Sequence, residues 1–179
     1  TYKYDGPLDL RMNPQRGKTA SALLASLDES ALAALLLENA DEPNADRMAQ
    51  AILQASVATT TQLATVIRSA GGDDDSVRRI FQALRIAVND EFGALDAFLH
   101  NLPFYLKAGG RAAILTFHSG EDRRVKKSFQ SGERRGVYSE VAHEVLRPTS
   151  EELRANPRSH SAKLRWARRS AIDAGNGLV

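Results

Sequence analysis

The chain has 179 residues, 42% of them apolar, which is enough for a packed core in one large domain or one domain carrying an insertion. It has no cysteine, which excludes disulfides and thiolate metal sites, and no apolar run of about 18 residues, which excludes a simple transmembrane helix. The net charge of +2 hides an asymmetry: residues 111–170 hold 14 Lys/Arg against 7 Asp/Glu, and the remainder holds 10 against 15. A basic half of this kind suits a phosphate backbone, the alternative being a solvated, salt-bridged surface. No secretory signal is visible, and the composition fits a cytoplasmic protein without a membrane partner.

Residues 1–18 read as irregular, punctuated by Gly6-Pro7 and Asn13-Pro14. They begin abruptly, as if an earlier part of a protein were missing. Residues 19–70 read as a helical unit. Thr19 or Ser21 caps a helix with Leu23, Leu24 and Leu27; Asp28 or Ser30 restarts it into Leu32, Leu35 and Leu36. Pro43 marks the next start, with Met48, Ile52 and Leu53 on one face. Thr59-Thr60-Thr61 caps a helix bearing Leu63, Val66 and Ile67, which Gly71-Gly72 ends, and Asp73-Asp74-Asp75 reads as a solvated loop. From Ser76, a plausible cap, one long helix is expected to residue 102, carrying Ile80, Leu84, Val88, Leu95 and Leu99. Arg85 and Asn89 lie one turn apart on it and could reach the same partner.

After Gly109-Gly110 the pattern becomes α/β. Residues 111–117 form an apolar run that suits a central strand covered on both faces. A helix over 120–130 follows, with Val125 and Phe129 inward, then a loop bounded by Gly132 and Gly136. Val137 to Leu146 reads as a second strand, Ser150 to Leu153 as a short helix before Pro157, and Lys163 to Arg168 as a strand exposed on one face. The tail beyond residue 170 is expected to be disordered.

Ligands in open α/β sheets sit beyond the C-terminal strand ends, and His118, Ser119 and Asp122 fall there. Ser119 and Asp122 have capping-box spacing, which favours a structural role. A Ser-His-Asp hydrolase is a poor fit, because adjacent side chains diverge and no nucleophile elbow is present. Arg123, Lys126, Lys127, Arg158, Lys163 and Arg165 are candidate phosphate contacts, or simply solvated faces. The histidines at 100, 118, 143 and 160 lack metal-ligand spacing.

Four segments carry a resemblance: Asp5-Gly6-Pro7-Leu8-Asp9-Leu10-Arg11-Met12; Arg79 through Glu91; Phe117-His118-Ser119-Gly120-Glu121-Asp122-Arg123; and Asn156 through Arg165. In that order they resemble the ribosomal RNA small-subunit methyltransferase H (MraW-type) family. The resemblance implies S-adenosylmethionine-dependent methylation of cytidine N4 in small-subunit ribosomal RNA. It implies an α/β fold, the C-terminal part of a Rossmann-like sheet with an inserted all-helical domain. On that reading residues 1–18 belong to the catalytic domain, 19–75 to the helical insertion, 76–170 to the C-terminal part of the methyltransferase domain and 171–179 to a disordered tail. The strands near 111–117, 137–146 and 163–169 would be neighbours, the last antiparallel and between the other two. The open edge at 111–117 would be covered by another copy, by an N-terminal half or by residues absent here.

The glycine-rich donor loop of the family has no counterpart after Thr1, so most of the S-adenosylmethionine site is expected upstream. Leu10, Asn13 and Gly120 depart from the family pattern, and Gly120 is expected to loosen the turn into its helix. The catalytic residue is not identified, with His118 and Asp9 as candidates; Asp5, Arg11, Arg85, Asn89, Ser119 and Asp122 are candidates for lining the site. The other functional class is a catalytically inactive RNA-binding or interaction module derived from such an enzyme.

Overall fold

A computed structural model describes residues 4–171, so the expected disordered tail lies outside the described residues apart from Ala171. The chain forms two compact units, residues 1–91 and 92–179.

The first unit is helical: α1 (Ala20–Leu24), α2 (Glu29–Ala40), α3 (Ala45–Ala55), α4 (Thr60–Ser69) and α5 (Asp74–Asn89). Local chemistry sets the starts. The side chains of Thr19 and Asp28 accept from the backbone N–H of Ala22 and Ala31. Thr59 and Gln62 form a reciprocal capping box. The acidic run 73–75 is part of a helix and not a loop. Asp73 is the N-cap of α5, accepting from Ser76 N at 2.7 Å, and Asp74 and Asp75 fill the first turn where the helix dipole favours anions. Ser76, expected as the cap, is the residue being capped. Leu8, Leu32, Leu36, Met48, Ile52, Leu63, Ile67, Ile80 and Leu84 form the core. Helix α5 contributes Val77, Ile80 and Leu84 to it, so the first unit continues past residue 75.

Glu42 is fully buried in this unit, and Arg79 Nε donates to its Oε2 at 2.8 Å while Ser76 Oγ and Asn44 N reach Oε1 at 3.2 Å. A carboxylate without water needs such partners.

The long helix expected over 76–102 is two helices. Asp90 adopts a left-handed conformation (φ 48°) between α5 and α6 (Glu91–Tyr105), which short polar side chains tolerate.

The second unit holds α6, β1 (Arg111–Thr116), α7 (Ser119–Arg134), β2 (Tyr138–Val141), α8 (Ser150–Ala155), a 3₁₀ turn (Pro157–Ser161) and β3 (Lys163–Arg169). The three strands form a small antiparallel sheet in the order β1-β3-β2, so the last strand lies between the other two, as expected. β2 is shorter than the expected 137–146 span, regaining contact with β3 through a bridge between Leu146 and Leu164. Leu99, Val125, Phe129, Tyr138, Val141 and Ala167 make the core of this unit.

β1 is not a central strand covered on both faces. It is an outer strand, and among the described residues only β3 pairs with it. Ala112 and Ile114 face the core, whereas Leu115 and Phe117 are each 52% exposed. The apolar run is real; among the described residues only one of its faces is covered.

Gly120 is also not a loosened turn. It lies buried in the first turn of α7, where an added Cβ would stand 2.5 Å from Phe92 Cζ. Gly120→Ala should therefore lower stability by about 1–3 kcal/mol through overpacking, although alanine is the better helix former. Arg79→Ala should cost about 2–3 kcal/mol, below the roughly 3–5 kcal/mol range for breaking fully buried pairs, because a third of the Arg79 side chain stays exposed. Chemical denaturation of each variant checks both values.

Candidate functional site

The candidate residues fall into two clusters, one in each unit. In the first, the Asp5–Arg11 segment is stitched to the start of α4. Leu8 N donates to Ala58 O and Thr60 N to Gly6 O, both at 2.9 Å, with Leu8 buried beneath. The Thr61 hydroxyl donates to Asp5, and that bond holds the Asp5 carboxyl below the usual range.

Arg11 forks onto Asp9, Nε to Oδ1 at 2.6 Å and Nη2 to Oδ2 at 2.9 Å, and its Nη1 reaches Gly17 O at 3.3 Å. The hydrogen bond from Arg11 pulls the Asp9 carboxyl below its ordinary value. An ion-paired, weakly basic carboxylate suits shaping a loop better than taking a proton.

Arg85 and Asn89 do not share a partner. Arg85 forks onto Glu91 at 2.7 and 3.0 Å. Asn89 clamps the loop instead, accepting from Met12 N at 2.7 Å and donating to Leu10 O at 2.9 Å. This clamp holds Leu10 in its left-handed conformation (φ 62°).

In the second cluster the chain leaves β1 and turns into α7. The N-cap of α7 is His118, one residue before the expected Ser119: its Nδ1 accepts from Glu121 N at 3.4 Å. Glu121 completes the exchange by accepting from Phe117 N at 2.9 Å. The capping pair is therefore His118 with Glu121, and the three-residue spacing carried the signal, hidden by the unusual imidazole cap. His118 Nε2 is buried, 3.4 Å from Glu121 Oε1, without a well-formed hydrogen bond. The ring stands 5.8 Å from that of Phe92, over which the Arg124 guanidinium lies at 4.0 Å.

Asp122 faces away from this cap and joins residues expected to have separate roles. Arg165 Nε donates to its Oδ1 at 2.7 Å and Nη2 to Oδ2 at 3.3 Å, with Lys163 Nζ 3.9 Å away. Arg165 is only 5% exposed, so its expected phosphate contact is corrected: a buried guanidinium on the helix-covered side of the sheet pairs with the half-buried carboxylate of Asp122. Lys163 shares that carboxylate. Arg123, Lys126 and Lys127 lie exposed on α7, and Arg158 is exposed on the 3₁₀ turn. Among the described residues no group of His, Asp and Glu is arranged for a metal ion, and no helix is long and apolar enough to cross a membrane.

Sequence reasoning missed the His118–Phe92–Arg124 stack and the Glu121 bond to Phe117 N. Glu121 generates a pH prediction. The His118 side chain first, and then the Phe117 N–H, hold its carboxyl below the ordinary value of 4.5. A depressed carboxylate stabilises the fold above its unfolded pKa and loses that contribution as pH falls through the folded one. Glu121→Gln should thus cost about 0.5–1 kcal/mol at pH 7, as for loss of a cap, and close to nothing at a pH well below 4.5. Urea titrations at both pH values check it.

The MraW methylase family model matches residues 1–170. Curated relatives carry the same theme. Ribosomal RNA small subunit methyltransferase H 2 of Alkaliphilus metalliredigens is 50% identical over 93% of this chain and 52% of its own length. Ribosomal RNA small subunit methyltransferase H 1 of Lachnoclostridium phytofermentans is 45% identical, covering 93% and 50%. The H 1 protein of Agathobacter rectalis is 43% identical, covering 95% and 53%. The chain spans about half the length of these relatives. With its motif segments and sheet order already described, this chain belongs to the MraW methylase family.

Proposed function

We propose that the chain is the C-terminal portion of an S-adenosylmethionine-dependent methyltransferase that modifies N4 of a cytidine in small-subunit ribosomal RNA, acting in the cytoplasm. On this reading the sheet is the C-terminal part of a Rossmann-like sheet, and the helices of residues 19–75 belong to a domain inserted into it. One observation carries the proposal: among the described residues β1 presents an unpaired edge and an uncovered apolar face, Leu115 and Phe117, directly before the motif at His118. An edge of that kind calls for a partner, and an N-terminal half carrying the donor loop is the partner proposed.

The described residues beyond β1 do not by themselves make a donor cradle. Asp122 is committed to Arg165, and Glu121 to Phe117 N and His118. Neither acid is left to hold a ribose or to face a sulfonium. The chain's own share is narrower. His118 accepts from Glu121 N through Nδ1, so the neutral ring carries its proton on Nε2; it is proposed to donate a hydrogen bond towards the substrate and not to take the proton lost by the exocyclic amine. The Asp9–Arg11 pair shapes the neighbouring loop of its own unit, and Arg123, Lys126, Lys127 and Arg158 provide charge for RNA phosphates.

Titration tests this. The chain alone should bind no S-adenosylmethionine up to millimolar concentration. Adding the N-terminal half of the Alkaliphilus relative should restore donor binding and transfer of labelled methyl to small-subunit RNA. The commitment of both acids in the first turn of α7 favours a second reading, a catalytically inactive RNA-binding module; RNA binding without methyl transfer by the combined halves would select it. In either case Arg123→Glu with Lys126→Glu should weaken RNA binding and reduce the slope of log K against log salt by about two. Unchanged affinity would remove the phosphate role.

A further inference from the structure

A cavity of about 380 Å³ opens between α6, α7 and the start of β2, well within the roughly 300–1,000 Å³ of small-molecule sites. It runs along α7 away from the His118 turn, with Arg124 shared between its lining and the stack on Phe92. Arg169 lines it, and Gly109 N donates to Arg169 O at 3.1 Å, so the cavity sits at the N-terminal end of β1 while His118 follows the C-terminal end.

The lining is chemically one-sided. Arg124, Lys127, Arg135 and Arg169 supply cations. The single acid among the described lining residues, Asp96, is held by Arg124 at 3.3 Å. Apolar walls come from Leu99, Pro103 and Val137, and Phe104, 61% exposed, stands at the rim.

Tyr138 is the informative residue. Its ring packs edge-on to Phe129 at 5.5 Å, it is only 2% exposed, and its hydroxyl has no hydrogen-bond partner among the described residues. Burial pushes this phenol up, so it stays a protonated donor, and Arg169 and Arg135 act on it through space. A buried donor without an acceptor costs on the order of 1–3 kcal/mol. The complement to a donor hydroxyl in a cavity lined by Arg124, Arg135 and Arg169 is an anionic oxygen. The complement to an exposed aromatic ring beside apolar walls is a flat heterocycle.

We propose that this cavity binds a nucleotide, its phosphate taken by the Tyr138 hydroxyl with Arg135 and Lys127, and its base laid against Phe104. The nucleotide is either free or one unit of a single RNA strand; both present the same phosphate and base. The site needs no methyl transfer, so it stands whether or not the proposed activity does.

Calorimetric titration of the full 179-residue chain with adenosine 5′-monophosphate, adenosine and an unstructured oligoribonucleotide lacking a terminal phosphate tests it. The monophosphate should bind at least about tenfold tighter than adenosine. Tyr138→Phe should weaken the monophosphate about tenfold while leaving the melting temperature unchanged or raised, because it deletes a buried unpaired hydroxyl. Arg135→Gln, on an exposed side chain, should weaken it similarly without affecting the fold. An oligoribonucleotide that binds tighter than the monophosphate and loses that advantage in Arg135→Gln identifies a strand nucleotide; the reverse order identifies a free one. Equal binding of adenosine and its monophosphate, no binding at millimolar concentration, or wild-type affinity in both variants would overturn the proposal.

Discussion

The pairing of Asp122 with Arg165 organises the second unit. Asp122 lies in the first turn of α7 and Arg165 in the middle strand, so a fork of 2.7 and 3.3 Å ties the helix that starts at His118 to the centre of the sheet. Arg165 Nη1 also reaches the carbonyls of Ala142 and His143 at 3.5 Å, just beyond β2. One buried guanidinium thus joins α7, β3 and the chain leaving β2. Neither partner could be buried alone, since an isolated charge in this setting is strongly destabilising. The direction in which the His118 turn faces follows from this tie, because the helix can neither rotate nor slide without breaking it.

A comparable logic governs the first unit, with neutral groups in place of charges at the decisive point. The Leu10 backbone sits in a conformation that a branched side chain adopts at a cost. Asn89 compensates by bonding the residues at 10 and 12, and Asp9 folds Arg11 back towards Gly17. Residues matched to a methyltransferase motif therefore serve first as the scaffold of a loop. A residue can belong to a family's signature because the loop fails without it, even where it never meets the substrate.

The sequence was informative where the physics is local or periodic. Leu32 and Leu36 of α2 and Leu63 and Ile67 of α4 are buried as their spacing required, with Leu35 and Val66 partly buried beside them, whereas the place of the strand near 163–169 between its two neighbours was implied by the family resemblance and not by spacing. It was uninformative where one residue's geometry decides. The helix across 76–102 breaks at Asp90, whose left-handed backbone no periodicity could reveal. The α7 cap moved from Ser119 to His118 because an imidazole nitrogen can accept as a hydroxyl does. Arg165 was read as a surface cation, yet it alternates with Ala167, the buried residue of that strand, and the alternation placed both on one face. That clue was present in the sequence; the arginine's charge outweighed it.

The same alternation explains why β1 reads in the sequence as a central strand. Hydrophobicity on both faces of a strand records that both are to be covered, without saying by what. Ala112 and Ile114 meet the core of their own unit, while Leu115 pairs across to Leu164 on the opposite face and remains half exposed with Phe117. Leu146 is exposed on that side too, lining one groove with Leu115, Phe117 and Leu164. A surface strand under selection for solubility alone would alternate with polar residues there, as edge strands commonly do. The run from Ala112 to Leu115 is apolar on both faces, and among the described residues one of them is covered.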